Sequence, residues 1–130
     1  MLNPRIIPCL LIKNKGLVKT VKFNDPKYVG DPLNAVKIFN EKFVDELIVL
    51  DIDATVERRE PDYKMIANLA MECRMPLCYG GGIKNKEQAL RIFELGVEKI
   101  VIGEHSFNNF KFLNKIIEIF GSQSIVVSMD

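Results

Sequence analysis

The sequence predicts an α/β fold of consecutive parallel βα units, and two observations carry that reading. Short apolar runs rich in β-branched residues alternate with longer segments of helical period along the whole chain. The short runs lack a polar alternation, so they read as strands buried on both faces, as in a parallel sheet flanked by helices. Strands are expected over Ile6 to Ile12, Glu46 to Ile52, Pro76 to Tyr79, Lys99 to Ile102 and Ser124 to Met129.

Between these runs four helical stripes appear in order. Leu33, Val36, Phe39 and Phe43 form the first, Ile66, Leu69, Ala70 and Cys73 the second, and Ala89, Ile92, Phe93 and Gly96 the third. The fourth is the cleanest: Phe112, Leu113, Ile116, Ile117 and Phe120 make one apolar face, with Gly121 placed to end the helix. The first connection is longer than a minimal βα loop. Lys13 to Gly16 is a polar turn, and Leu17 to Phe23 alternates apolar residues with Lys19 and Lys22, which predicts a small hairpin or flap. Asp31 then caps the first helix, with Pro32 at its first position.

Four βα units and a fifth strand amount to about half of a closed (β/α)8 barrel, which needs eight strands and typically ~250 residues. Residues 1–130 are therefore expected to form one half-barrel domain, shortened relative to a full barrel. A half barrel that pairs with another copy, or a rearranged flavodoxin-like open sheet, are the alternatives. An apolar edge strand at Ile125 to Met129 favours a homo-oligomer, because natural proteins cover such edges.

Composition excludes several function classes. Eighteen basic residues against seventeen acidic ones leave a net charge of +1, so no global field attracts nucleic acid or an anionic membrane, and any anion must be held locally. Cys9, Cys73 and Cys78 form no CxxC pair and have the single histidine His105 for company, which argues against zinc and for a reducing cytoplasm. No apolar run approaches the ~18 residues of a membrane span, so a soluble cytoplasmic protein is expected. No metal and no organic cofactor is implied.

Several short segments carry more specific information: Arg5-Ile6-Ile7-Pro8-Cys9-Leu10, Gly30-Asp31-Pro32, Asp45 through Asp51, Tyr79-Gly80-Gly81-Gly82-Ile83, Gly96-Val97-Glu98-Lys99 and Phe120 through Asp130. Taken together they resemble the cyclase subunit of imidazole glycerol phosphate synthase, in its N-terminal half. Leu11 through Thr20, followed by Val21-Lys22-Phe23, resembles more closely a paralogous branch associated with surface-polysaccharide gene sets, in which the barrel helps supply ammonia for modifying a sugar. The resemblance implies ammonia-dependent ring closure and a lyase step on a phosphorylated ribulosyl aminoimidazole carboxamide, with a glutaminase subunit as partner.

Asp51 and Asp130 end the second and fifth strands, where a parallel barrel places its chemistry. The resemblance makes Asp130 a general acid/base and Asp51 a ligand for a substrate hydroxyl; a strand-end aspartate that merely caps the following turn is the alternative. The family's other catalytic aspartate falls at Leu11, which cannot exchange a proton, and losing it costs typically 10²–10⁴ in rate. Lys13 and Asp53 lie nearby without occupying that position. The chain by itself is therefore expected to be inactive as a cyclase.

Gly80-Gly81-Gly82 precedes a helix starting near Lys86, so Gly81 and Gly82, with Gly103 after the fourth strand, form a candidate phosphate cradle. A tight turn needing positive φ is the alternative. Glu104 would repel a phosphate beside Gly103. By resemblance Lys19 reaches over the substrate, with a solvated surface lysine as its alternative. Cys9 lies beside the cup with the substrate-binding residues, with burial as a small hydrophobe as its alternative. Arg5, Glu46 and Lys99 begin three strands and match, by resemblance, a charged ring that gates ammonia from the glutaminase; an ordinary ion cluster is the alternative.

Overall fold

The computed structural model describes residues 4–21, 24–54, 57, 59–103 and 110–128, with residues 20, 21, 24–28 and 110 described by their backbone alone. Seven strands form one mixed sheet: β1 (Cys9–Lys13), β2 (Gly16–Val21), β3 (Asn24–Gly30), β4 (Leu47–Asp51), β5 (Leu77–Gly80), β6 (Lys99–Ile102) and β7 (Ile125–Val127). Their spatial order is β3-β2-β1-β4-β5-β6-β7. From β1 to β7 through β4, β5 and β6, each pair is parallel and each new strand lies beside the one before it. That sequential winding is the progression of a partial (β/α)8 barrel. The open flavodoxin-like alternative is corrected, because a doubly wound sheet reverses its strand order at a switch point and this one does not.

Among the described residues four α-helices supply the crossovers: α1 (Pro32–Lys42), α2 (Tyr63–Glu72), α3 (Lys86–Glu94) and α4 (Phe110–Phe120). Their starts follow local chemistry. Asp31 accepts from Leu33 N at 3.2 Å, Asp62 from Met65 N at 3.1 Å and Asn85 from Gln88 N at 2.9 Å, each satisfying an amide that the helix leaves without a partner. Gly121, at φ 89°, ends α4 by donating its N–H to Ile117 O at 2.8 Å. No helix among the described residues is long and apolar enough to cross a membrane.

The core lies between the helices and one face of the sheet. Ile12, Leu47, Val49, Ile100, Val36, Ile66, Ile92 and Ile116 are wholly buried there, with Tyr79 beside them. Strand parity sends the alternate residues to the other face, where Leu11, Leu50, Gly80, Val101 and Val126 stand in register across five strands.

Three local expectations change. The first strand starts at Cys9 rather than Ile6, because Pro8 has no N–H to give the ladder; Pro8 O still accepts from Ile48 N. The flap is a full hairpin of β2 and β3, antiparallel to each other, and β2 is joined antiparallel to β1 by a two-residue turn in which Asn14 and Lys15 are both at positive φ. Phe43 does not extend the first helical stripe. It stands past the end of α1 in the left-handed region, 90% exposed.

Candidate functional site

At the N-terminal ends of the strands, three predicted residues come together. Glu46, immediately before β4, accepts from Arg5 Nη2 at 2.6 Å and from Lys99 Nζ, on β6, at 3.1 Å, both through Oε1. β5 lies between β4 and β6, so the Lys99 contact reaches over Cys78, which is paired with Lys99 in the ladder. The Glu46 side chain is 11% exposed, against 27% for Lys99 and 58% for Arg5. Burial alone would raise the Glu46 carboxyl, but the hydrogen bonds and charges of Arg5 and Lys99 outweigh it and hold it below its ordinary value. Burial pushes the Cys78 thiol up to about 12, with the Glu46 charge adding to the effect.

The C-terminal ends carry a second group. Asp51 continues the alternation of Leu47 and Val49, on the helix-covered side, and is buried. Its Oδ1 accepts from Asp53 N at 3.2 Å and from Arg59 Nη2 at 3.3 Å. The turn-capping alternative is thus realised, and Arg59 holds the same oxygen. Lys13 shares the parity of Cys9 and Leu11 on β1, and its ammonium lies 3.5 Å from Asp53 Oδ1. Asp53 Oδ2 is buried without a hydrogen-bond partner. Burial pushes the Tyr79 phenol upward, and its hydroxyl donates to Gly81 O at 3.0 Å.

The two rim glycines are explained by close packing. A Cβ on Gly81, at φ 135°, would stand 2.7 Å from Asp51 O, and one on Gly82, at φ 73°, would stand 2.9 Å from Arg59 O. Both positions need glycine for the turn and for the approach of the β4–α2 segment, whatever else their amides hold. Gly103 is exposed, with open space where a Cβ would point. Asn14, Lys15, Asp51, Glu57, Arg59 and Asp62 border a cavity of about 240 Å³ between the hairpin turn and this segment.

The remaining expected residues fall apart from these groups. Lys19 is exposed on β2, paired in register with Lys27. Cys9 is exposed, which corrects its reading as a buried small hydrophobe, and it opens β1 in register with Ile48, Cys78 and Lys99, so it stands at the N-terminal ends of the strands rather than beside the cup. Asp130 and Glu104 lie outside the described residues. Leu11 is half-buried and in register with Leu50, Gly80 and Val101, an apolar row. Arg59 and Tyr79 were missed by sequence reasoning; Arg59 sits in an irregular segment with no periodicity to place it. Among the described residues no group of histidine, cysteine, aspartate and glutamate is arranged to hold a metal.

Comparison with known proteins gives the family. The model described as histidine biosynthesis protein matches residues 5–130. Two proteins named as putative imidazole glycerol phosphate synthase subunits align over the whole chain: hisF3 of Vibrio vulnificus at 61% identity and hisF2 of Pseudomonas aeruginosa at 58%, covering 50% and 52% of those relatives. The imidazole glycerol phosphate synthase subunit HisF of Lactococcus lactis is 40% identical over the same 130 residues, 50% of its length. The chain thus spans about half the length of the curated relatives it matches. With sequential parallel strands, charges gathered at one end and close-packed glycines at the other, it belongs to the histidine biosynthesis protein family, related along its whole length to imidazole glycerol phosphate synthase HisF subunits.

Proposed function

We propose that the chain is part of a cyclase-type subunit of an imidazole glycerol phosphate synthase. Ammonia released by a glutaminase partner enters at the N-terminal ends of the strands, and a phosphorylated ribulosyl aminoimidazole carboxamide sits at their C-terminal ends. The observation that carries the reading is the buried Glu46 carboxylate holding together Arg5, ahead of β1, and Lys99, on β6. A closed ion cluster at that end can admit a small neutral molecule once one arm swings away, and Arg5, as the more exposed arm, is the mobile one. At the other end Gly81, Gly82 and Gly103 take the phosphate, Asp51 and Lys19 face the substrate, and Asp130 transfers a proton.

Ring closure is not performed by these strands alone, because the acid/base pair is incomplete at Leu11. Its row of Leu50, Gly80 and Val101 offers no carboxylate. That same row favours a second reading, in which the barrel activates the glutaminase and passes ammonia on for amidation of a sugar. A third reading is a phosphate-binding half-barrel scaffold whose apolar edge at β7, with Val126 and Val127 partly exposed, pairs with a second copy in a homo-oligomer.

The test uses the protein with a glutaminase subunit, glutamine or ammonium salt, and the carboxamide substrate, following imidazole product by absorbance and mass. Glutaminase stimulation with little imidazole product is expected, and Leu11→Asp should raise product formation by tenfold or more. Rapid ring closure by the unaltered protein would remove the reading of Leu11. Absence of any glutaminase stimulation would remove the partner.

A further inference from the structure

At the C-terminal ends of β1 and β4, Lys13 and Asp53 form an ion pair that does not complete itself. The ammonium stands 3.5 Å from Asp53 Oδ1, an ion contact longer than a good N–H to oxygen hydrogen bond. The other carboxylate oxygen, Oδ2, is buried with no hydrogen-bond partner, and among the described residues no other buried side-chain nitrogen or oxygen is left so. A carboxylate oxygen shut away from water without a donor costs free energy that the fold does not recover by itself. A donor supplied from outside the chain would recover it.

The placement of the pair agrees. Lys13 shares the parity of Leu11, so it stands on the sheet face opposite the helix-packed core, one position beyond the pairing of Ile12 with Asp51. Its side chain is 38% exposed, against 9% for Asp53. Asp53 is fixed through its backbone: its N–H donates to Asp51 Oδ1 at 3.2 Å, and its carbonyl accepts from Glu57 N at 2.8 Å. The carboxylate is therefore held in place, while the lysine beside it has a flexible stem. The neighbouring cations are committed elsewhere, Arg59 to Asp51 and Glu57 and Lys15 to Asp62, and neither reaches Oδ2.

Charge selects what such a pair can hold. Lys13 and Asp53 cancel, so a phosphate drawn to the ammonium meets the carboxylate beside it. The pair instead offers a donor and an acceptor side by side, and a hydroxyl is both acceptor and donor. We infer that Lys13 and Asp53 together bind hydroxyl groups of a sugar or polyol chain. The Lys13 ammonium donates to a hydroxyl oxygen, and Asp53 Oδ2 accepts from a hydroxyl that enters as Lys13 moves aside from its long contact. Leu11, half-buried two residues earlier on the same face, gives an apolar floor for the C–H side of such a chain. The inference rests on the proposed function and deepens it, by assigning the groups that read the sugar part of the phosphorylated substrate rather than its phosphate.

Calorimetric titration of the full-length protein with ribulose 5-phosphate and, separately, with inorganic phosphate tests it. Asp53→Asn and Lys13→Met should each weaken ribulose 5-phosphate binding about tenfold or more, the loss of one hydrogen bond to a charged group, and leave phosphate binding within about twofold. Lys13 is partly exposed and lies outside the core, so Lys13→Met keeps the test decisive even where Asp53→Asn fails to fold. Unchanged ribulose 5-phosphate affinity in Lys13→Met overturns the inference and leaves the proposed function standing. Equal loss of both probes makes Lys13 a phosphate ligand and also overturns it. If the unaltered protein binds neither probe, the inference falls together with the substrate end of the proposed function.

Discussion

Replacing Glu46 with glutamine tests whether the cluster at the N-terminal ends is an integral ion centre or an incidental surface contact. The substitution keeps shape and one acceptor but removes the charge that Lys99 and Arg5 face at 3.1 and 2.6 Å. Arg5 is mostly exposed, so its arm is screened by water and adds little to stability. Lys99 is about one quarter exposed and Glu46 about one tenth, so that bond keeps part of the strength of a charge-assisted pair, and converting it to a neutral bond should cost about 1 kcal/mol. For a chain of this size the thermal midpoint should fall by about 3–4 °C at neutral pH. Because the folded Glu46 carboxyl lies below its ordinary value, its contribution is complete above the unfolded value of about 4.3 and is lost as pH falls through the folded one. Urea denaturation of both proteins should therefore show a deficit at about pH 7 that shrinks as pH falls below the unfolded value of about 4.3 and through the folded one. A deficit independent of pH, or none at neutral pH in low salt, would refute the reasoning.

The cysteines and Asn40 give two further predictions. Iodoacetamide at about pH 8 should modify exposed Cys9 first and half-buried Cys73 more slowly, whereas Cys78, buried with its thiol pushed up to about 12, should react only after unfolding; peptide mass spectrometry reads the order. Asn40→Ala should destabilise by about 2 kcal/mol in urea titration, since it strands Glu72 O and Arg74 N where α1 meets the α2–β5 segment, and Asn40→Asp, which keeps only the acceptor, should fall between it and the unaltered protein.

What was legible in the sequence follows the physics of each element. The parallel strands were readable because burial on both faces leaves an unbroken apolar run, as in Leu47 to Leu50, and the start of the first helix because Asp31 can hold only certain amides. Phe43 misled because apolar spacing continues the helix to it, while the chain must reverse there to bring Asp45 against Ile6. The charged cluster was legible, since Lys99 begins β6 and Arg5 and Glu46 lie just ahead of β1 and β4, and parallel strand starts converge. The rim was not. Arg59 and Asp62 come from an irregular segment whose path is set by where Gly81 and Gly82 let it approach, and no periodicity encodes that distance.

The two ends of the strands are built on different principles, and this bears on what substitution each tolerates. At the N-terminal ends one carboxylate serves two cations, so removing Glu46 leaves like charges facing each other, and the arrangement holds only as a unit. At the C-terminal ends the work is distributed: Asp51 caps a turn and holds Arg59, Lys13 pairs with Asp53, and glycines admit the backbone, each through its own contact. A rim of separable contacts can lose a carboxylate at Leu11 without losing its fold, because Leu11 packs in an apolar row that a leucine suits better than an aspartate. The cluster cannot exchange a member so cheaply. Substitution is therefore tolerated sooner in the strand row at Leu11 than in the Glu46 cluster, in keeping with the apolar row and the intact cluster that this chain carries.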